Sequence, residues 1–295
     1  MASKQKIVAV LCLLSAALVW GLMWYPYRVL QNNGVPAELA TLLSYTLALV
    51  IGVIILGPVW KELRFAGWWG ISLTLCAGWT NLGYVLAVLN GEVMRVLLLF
   101  YLAPLWTVIF ARLLLGERLN RYGYAVIALS LAGVFAMLWH PQYGMPMPQN
   151  AGEWIGLSAG LTFALTNVLV RRLQHLSIHF KSLTVWFGTA ALTLLVMLSQ
   201  GQLASGLPVI NLQDWLLLVL LGLILCATSL LAQHGLTLLP ANQSIILFLS
   251  ELVFAAISSY LLAGEVMGPR EITGAMLIIS ASLLSGKIHA EPSKP

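Results

Sequence analysis

The sequence predicts an all-α membrane protein in which ten transmembrane helices form two inverted five-helix repeats around a central cavity. Three observations support this prediction: the composition, ten apolar stretches of membrane-spanning length, and a similarity between the two halves. Hydrophobic residues make up 60% of the 295-residue chain and charged residues only 8%. Soluble domains carry about 25% charged residues, so this chain cannot cover a water-facing surface.

Apolar stretches of about 20 residues, the length that crosses a bilayer, occur ten times between polar or Gly- and Pro-containing breaks. They cover 7–28, 37–57, 67–89, 93–115, 121–139, 153–173, 182–200, 214–236, 241–262 and 269–286. The first lacks the short apolar core and the cleavage site of a signal peptide, so we expect it to be retained. Most connections are short, so neighbouring helices must run antiparallel, and no room is left for a soluble domain.

The distribution of lysine and arginine predicts that both termini are cytoplasmic. These residues favour cytoplasmic loops. With the N-terminus inside, 12 of the 15 fall on the inner side, and only Arg28, Arg95 and Arg270 fall on the outer side. The net charge of +5 forms no basic block, so nucleic acid is not expected as a partner.

Two pairs of segments indicate a duplicated unit. SAALVWGLMWYPYRVL at 15–30 matches SAGLTFALTNVLVRRL at 158–173 in six of sixteen positions, and LLLGERL at 113–119 matches LLAGEVM at 261–267 in four of seven. A repeat with an odd number of spans re-enters the membrane upside down. Inverted repeats are typical of secondary transporters, because halves of opposite orientation give inward-open and outward-open shapes of similar energy.

The duplication predicts four regions along the chain. The first five-helix repeat covers 1–140, a periplasmic linker covers 141–152, the second repeat covers 153–288 and a cytoplasmic tail covers 289–295. The linker contains several prolines and glycines, which cannot continue a helix.

Several short motifs resemble a known family. Trp20 with Gly21 in the first span, YLAPLWTVIFA at 101–111 in the fourth, and Gly-Glu after the fourth and ninth spans resemble the drug/metabolite transporter superfamily. The closest likeness is its EamA branch of bacterial exporters, and it covers the whole chain. The resemblance implies a basket of ten helices in the bacterial inner membrane that exports amino acids, other metabolites or drugs. Glu251 and the long outer loop at 140–152 depart from that pattern.

The Gly-Glu pairs at 116–117 and 264–265 have a structural interpretation. Glycine suits a helix C-terminal cap. We expect Glu117 to cap the next helix or to pair with Arg118 or Arg121.

Glu251 is the one charged residue in the apolar stretch 243–262. A charge near the bilayer midplane costs about 2.5–3.5 kcal/mol. This carboxyl group is therefore paired with a cation, protonated, or part of a functional site. Ser244, Glu251 and Ser258 are spaced by seven and share a helical stripe, with Gln243 near its inner end. A low dielectric disfavours an ionised carboxyl group and a nearby cation favours it, so an arriving substrate could expel a proton. Glu251 is either a structural carboxylate or the proton-coupling and substrate site.

The other candidate residues each have a structural alternative. Arg95 either snorkels to the headgroups or faces the cavity, and Glu92 could neutralise it. Pro104 has no N–H donor and frees the carbonyl of Phe100, which predicts a kink or gate at mid-membrane. Deep amides often only join helices, and deep aromatic rings either pack or hold an organic cation. The remaining candidates for substrate binding are Trp20, Trp24, Asn81, Tyr84, Tyr101, Asn167, Gln243 and Ser244.

No sequence feature predicts catalysis. HExxH, GxSxG and P-loop motifs do not occur, and Cys12, Cys76 and Cys226 are scattered in apolar runs. We therefore expect no enzyme activity, no cofactor and no metal site.

The leading hypothesis is a secondary exporter of small organic solutes, such as amino acids, related metabolites or aromatic or cationic compounds. It would work by alternating access, either coupled to protons or driven by the solute gradient. The alternative is a non-transporting membrane scaffold or lipid-handling protein. The expected partners are a small-molecule substrate and the lipid bilayer. No small-residue stripe compels a dimer, so the chain is compatible with a monomer.

Overall fold

A computed structural model describes residues 2–57, 59–91, 93–139, 142, 147–202, 208–264 and 267–288. The described chain forms ten helical units, which we number α1 to α10. The continuous units are α2 (Ala37–Leu56), α3 (Trp60–Asn90), α5 (Arg121–Leu138), α6 (Ala151–Arg172), α7 (Ile178–Ser199), α8 (Leu212–Leu238) and α10 (Pro269–Leu284). These described ranges contain no β-strand, so the all-α prediction is confirmed.

Three units are interrupted. The first, α1, consists of Ala2–Leu22 and Trp24–Asn32. The fourth, α4, consists of Val93–Phe100, Ala103–Phe110 and a π-helical turn at Ala111–Leu115. The ninth, α9, consists of Ala241–Phe248 and Ser250–Ala263.

Nine of the described helices are long and apolar enough to cross a membrane, and α10 follows with 16 residues. The chain is therefore a multi-pass membrane protein. The third predicted span begins at Gly67, whereas α3 begins at Trp60 and is kinked at Gly67, which has φ 52°. We call the side on which α1 begins and α10 ends the inner side.

The major helix pairs formed by one half have counterparts formed by the other half. Helix α3 packs on α6 and α7, and its counterpart α8 packs on α1 and α2. Helix α4 packs on α6, and its counterpart α9 packs on α1. Corresponding helices also pack on each other, α2 on α7 and α5 on α10. A pseudo-twofold axis in the membrane plane produces this pattern, and five helices per half give the halves opposite orientations.

The predicted domain boundaries fall largely outside the described residues. Of the predicted linker 141–152, the structure describes Gln142 and 147–152. The tail 289–295 lies outside the described residues, as do Glu92 and Glu265. The four-region division therefore stays a prediction.

Helices α4 and α9 are interrupted at corresponding positions. The offset of 148 between the two Gly-Glu motifs aligns Phe100 with Phe248 and Ala103 with Glu251. The break in α4 directly follows Phe100, and the break in α9 directly follows Phe248. Pro104 is the second residue of Ala103–Phe110, so the interruption of α4 lies just before this proline, and its function as a kink or gate stays a prediction. In α9 the helix instead tightens, since the N–H of Leu249 bonds to the carbonyls of both Ile245 and Ile246.

The helix ends carry side-chain and glycine caps. Gly116 and Gly264 both have φ 69° at the C-terminal ends of α4 and α9, which confirms the glycine part of the Gly-Glu prediction. Four helices begin with a side chain that accepts a hydrogen bond from the backbone three residues on. These N-caps are Asn120, Asn150, Ser177 and Asn211.

Helices α3 and α7 cross with their backbones in contact. A Cβ atom on Gly188 would lie 2.2 Å from the carbonyl oxygen of Thr74, and one on Gly78 would lie 2.5 Å from the carbonyl oxygen of Gly188. Small residues at such crossings allow the van der Waals contact that holds membrane helices together.

We expect Gly188→Val to lower the free energy of unfolding by about 1–3 kcal/mol, because the added side chain must separate α3 from α7. Thermal unfolding in detergent measures the effect. Gly286→Ala is the control, since nothing lies within 4 Å of a Cβ atom there. An unchanged melting temperature for Gly188→Val would contradict the close crossing.

Candidate substrate-binding and coupling site

Glu251 lies in the first turn of Ser250–Ala263, at the level where α4 and α9 are interrupted. The hydroxyl group of Tyr101 is positioned to donate a hydrogen bond to its carboxyl group, and Tyr84 is close enough for an electrostatic interaction. Glu251 lies deep in the protein, yet part of its side chain remains accessible. Three of the predicted site residues, Tyr84, Tyr101 and Glu251, therefore come together where α3, α4 and α9 meet.

Three phenylalanine rings form a layer beside this carboxyl group. Phe100 contacts Tyr84 and Tyr101 edge-on, with ring centroids 5.4 and 5.2 Å apart. Phe100 stacks on Phe163 at 5.3 Å, and Phe163 contacts Phe248 at 5.6 Å. We call these three phenylalanines the aromatic layer. Sequence reasoning missed them, although the correspondence of Phe100 with Phe248 across the repeat is a signal that could have found two of them.

Helix α1 packs directly against α9 next to Glu251. A Cβ atom on Gly21 would lie 2.8 Å from the carbonyl oxygen of Glu251. Trp24 Nε1 donates to Ser258 Oγ at 2.9 Å, and Ser258 Oγ donates to the carbonyl of Gly21 at 3.0 Å. The guanidinium of Arg28 lies over the Trp24 ring, 5.0 Å from its centroid. The polar stripe of α9 therefore faces the bundle interior, as predicted.

Arg95 is held inside the protein. Its Nε donates to Glu153 Oε1 at 2.8 Å and its Nη2 donates to Glu153 Oε2 at 3.1 Å and to the carbonyl of Met147 at 2.8 Å. Arg95 is only 6% exposed and Glu153 only 1%. The charge of Arg95 is therefore matched by α6, which supports a structural function and weakens the case for Arg95 as a substrate contact. Glu92, the neutralising residue considered from the sequence, lies outside the described residues.

Asn81 joins three helices and does not face Glu251. Tyr45 Oη donates to Asn81 Oδ1 at 2.8 Å, and Asn81 Nδ2 donates to the carbonyl of Ala77 at 2.8 Å and to Thr189 Oγ1 at 3.2 Å. These bonds connect α3 with α2 and α7, which is the structural alternative for this residue. Trp20 is half-buried and packs against two hydrophobic clusters that join α1 to its neighbouring helices.

Asn167, Gln243 and Ser244 lie on the inner side of the aromatic layer. Each is at most 1% exposed. Within the described chain, Asn167 Nδ2, Gln243 Oε1 and Ser244 Oγ have no hydrogen-bond partner. Asn167 and Ser244 lie one helical turn from Phe163 and Phe248, and so near the aromatic layer.

The two segments of α4 and α9 pack differently on the two sides. The inner segments, Ala103–Phe110 and Ala241–Phe248, pack on each other. The outer segments, Val93–Phe100 and Ser250–Ala263, show no comparable packing in the described part of the chain. The repeat relates these two pairs to each other, because the inner segment of each helix corresponds to the outer segment of the other. The packing of α4 against α9 therefore differs between the inner and the outer side, although the two outer segments share one hydrophobic core cluster with α5 and α10.

Glu117 caps α9 and not the following helix. It accepts hydrogen bonds from the backbone N–H of Ala241 and from Asn242 Nδ2, both at 3.4 Å. The expectation that Glu117 caps α5 or pairs with Arg118 or Arg121 is wrong, because Asn120 caps α5 and the α4–α5 loop reaches the N-terminus of α9.

The environment of Glu117 disfavours its ionised form. Burial raises the pKa of its carboxyl group, although the two hydrogen bonds and the charge of Arg171 act in the opposite direction. Two further contacts close the same inner side: Arg171 donates to the carbonyl of Thr237, and Arg172 donates to the carbonyl of Leu114.

These features define a multi-pass membrane protein with an internal site between two similar halves. The sequence profile of the EamA-like transporter family matches residues 7–139 and 150–286. The chain belongs to this family.

Two relatives with similar sequences are also transporters by name. An uncharacterized transporter from Pseudomonas aeruginosa is 29% identical over 173 residues, which cover 54% of this chain and 53% of that protein. An uncharacterized transporter from Archaeoglobus fulgidus is 27% identical over 210 residues, 70% of this chain and 72% of that protein. The match thus spans about half the length of the Pseudomonas relative. A solved crystal structure shares the fold with a TM-score of 0.74 at 21% identity, covering 94% of this chain and 96% of the other.

We expect Glu153→Gln to lower the free energy of unfolding by about 3–5 kcal/mol, because it leaves a buried guanidinium without its carboxylate. The double substitution Arg95→Met with Glu153→Met removes both charges and should restore most of the loss. Thermal unfolding in detergent compares the variants. If the double variant is as unstable as Glu153→Gln, the buried pair is not the cause.

We expect the stability of the protein to depend on pH through Glu117. A carboxyl group with a raised pKa stabilises the fold while it is protonated, and this contribution is lost as the pH rises from its ordinary value of 4.5 through the raised pKa. Glu117→Gln cannot ionise. The melting temperature of the wild type relative to Glu117→Gln should therefore fall as the pH rises above 4.5, and a constant difference would contradict this assignment.

Proposed function

We propose that this protein is a secondary transporter that exports small organic solutes by alternating access, with proton exchange at Glu251. The observation that carries the proposal is the unequal packing of α4 and α9 on the two sides of Glu251. Because the two halves correspond, a second state with the inner segments parted and the outer segments packed would make equivalent contacts. Two states of similar energy are what alternating access requires.

Proton exchange is supported by the surroundings of Glu251. In an apolar interior, a carboxyl group is stable when it is protonated or when a cation lies beside it. Tyr101 is positioned to donate to the carboxyl group, which helps to hold it in the ionised form when the cation is present. Alternate occupation by a proton and a cationic solute gives antiport: the solute displaces the proton on one side, and a proton displaces the solute on the other.

The carboxyl group of Glu251 and the aromatic rings near it favour a solute that carries an amine and an apolar body. Tyr84, Tyr101 and the aromatic layer offer π-faces next to the carboxyl group, and such faces attract organic cations. The nearest outer-side cations are engaged elsewhere, Arg95 with Glu153 and Arg28 with the Trp24 ring. Amino acids, related metabolites and aromatic amines share this ammonium group.

We place the protein in the bacterial inner membrane with both termini in the cytoplasm. The excess of lysine and arginine on the inner side supports this orientation. The similarity to a Pseudomonas aeruginosa transporter supports the bacterial membrane. In this orientation the closely packed inner segments of α4 and α9 lie towards the cytoplasm, and we assign the described conformation to the part of the cycle in which an exporter releases its solute to the periplasm.

We expect Glu251→Gln to abolish uptake of phenethylamine and tyramine driven by a pH gradient in proteoliposomes, down to the level of protein-free liposomes. The amide cannot exchange a proton, so solute and proton are no longer coupled. Glu38→Gln is the matched control, since Glu38 lies in the first turn of α2 and away from the site. Melting temperatures show whether both variants are folded. Unchanged pH-driven flux in a folded Glu251→Gln protein would remove this residue from the mechanism.

A further inference from the structure

We infer that a second solute-binding site lies on the inner side of the aromatic layer and consists of Asn167, Gln243 and Ser244. We call these three residues the inner site. The inference rests on the proposed function, because it assigns the inner site to the inward-open state of a transporter. It adds to that function a recognition step for the uncharged polar part of the solute.

The inner site is placed by the contact between two rings. Phe163 of α6 contacts Phe248 of α9, with centroids 5.6 Å apart. Asn167 follows Phe163 by one helical turn, and Ser244 precedes Phe248 by one turn. Residues four apart lie on the same helix face. Because α6 runs inward and α9 runs outward, Asn167 and Ser244 both lie about 6 Å further in than the ring contact.

Buried polar side chains of the described chain fall into two groups, with and without a hydrogen-bond partner. Besides Asn167, Gln243 and Ser244, the second group contains atoms of Ser44, Trp106, Thr166, Ser182, Gln233 and Asn242. Ser130 and Thr193 are fully buried, and each donates to a carbonyl of its own helix. By contrast, Asn167 Nδ2, Gln243 Oε1 and Ser244 Oγ find no partner in the described chain. A buried polar atom without a partner is unfavourable. Three such atoms lie close together on α6 and α9. A solute that binds there in another state of the protein would supply their missing hydrogen bonds.

The inner site is specific to one half of the repeat. The offset of 143 between the first matching segments aligns Asn167 with Trp24. Trp24 Nε1 donates to Ser258 Oγ at 2.9 Å and so joins α1 to α9. The corresponding position on the inner side carries an amide whose nitrogen is unused within the described residues, so a helix-joining function does not explain it.

The unpaired atoms indicate the chemistry of the ligand. Asn167 Nδ2 is a donor, Gln243 Oε1 is an acceptor and Ser244 Oγ is both. None of the three side chains is charged. The group that fits them is a neutral one that both donates and accepts, such as a hydroxyl or carboxamide group on an amine-bearing solute. In the described conformation the packed inner segments of α4 and α9 close the site, and parting of these segments opens it to the cytoplasm.

Thiol labelling tests the inner site. Cys12, Cys76 and Cys226 are replaced by alanine, and Ser244→Cys is introduced into the full-length protein. We expect a membrane-impermeant thiol reagent to modify it in inside-out vesicles. Tyramine should slow this reaction about fivefold more than phenethylamine, which lacks the hydroxyl group, since one net hydrogen bond has about that effect on affinity.

Two further variants sharpen the test. Ser130→Cys is the buried control and should stay unmodified, because Ser130 lies within α5 with its hydrogen bond satisfied. Asn167→Leu, combined with Ser244→Cys, should keep the labelling and lose the preference for tyramine. No labelling of Ser244→Cys from the inside would overturn the inference, and so would equal slowing by the two amines.

Tyr84→Cys separates this inference from the proposed function. It borders the space at Glu251 and reports alternating access through labelling from both sides. Labelling of Tyr84→Cys from both sides, with no labelling of Ser244→Cys, refutes the inner site and leaves the transporter proposal standing. Labelling of Tyr84→Cys from one side only refutes alternating access itself.

Discussion

A carboxyl group in the middle of an apolar helix constrains the structure around it. Glu251 is unfavourable in lipid, so it must border a polar or accessible space inside the protein. The fold provides this space where α4 and α9 are interrupted and where Tyr84 and Tyr101 supply hydroxyl groups. The neighbouring helix α1 can approach because Gly21 has no side chain that would collide with the backbone of Glu251. The need to accommodate the Glu251 carboxyl group thus explains the helix interruptions, the nearby tyrosine hydroxyl groups and the close approach of α1.

The two halves share a contact pattern but not a conformation. The major helix pairs have their counterparts, except that the inner segments of α4 and α9 pack on each other and the outer segments show no comparable packing in the described residues. In a molecule with exchangeable halves, such an inequality is expected of one member of a pair of states. The aromatic layer lies where α4 and α9 are interrupted, and the unpaired amide and hydroxyl groups of Asn167 and Ser244 lie one helical turn further in.

Charges away from this level are used to hold helices together. The Arg95–Glu153 pair binds α4 to the start of α6, with both guanidinium hydrogen bonds to the carboxylate at 2.8 and 3.1 Å. Glu117 binds the end of α4 to the N-terminus of α9, where backbone N–H groups point at the carboxylate. Both contacts connect the two halves. Arg95, Glu153 and Glu117 therefore stabilise the fold. Glu251 differs from them, because its neighbours are hydroxyl groups and aromatic rings.

The sequence by itself determined the class of protein and the number of spans, and it singled out Glu251 as a candidate. Lipid imposes a local rule on each helix, about 20 apolar residues with few charges, and such a rule can be applied to one segment at a time. It also predicted the glycine caps, because a positive φ is a property of a single residue.

Only the tertiary structure decided which side chains meet. Arg95 finds Glu153 58 residues away, Glu117 reaches a helix 124 residues away, and Phe163 links two rings that belong to different halves. Asn81 proved to join helices, while Asn167 was left without a partner for its nitrogen among the described residues. These outcomes depend on how the helices rotate and cross. Hydropathy does not encode those angles, since a side chain that faces lipid and one that faces another helix can be equally apolar.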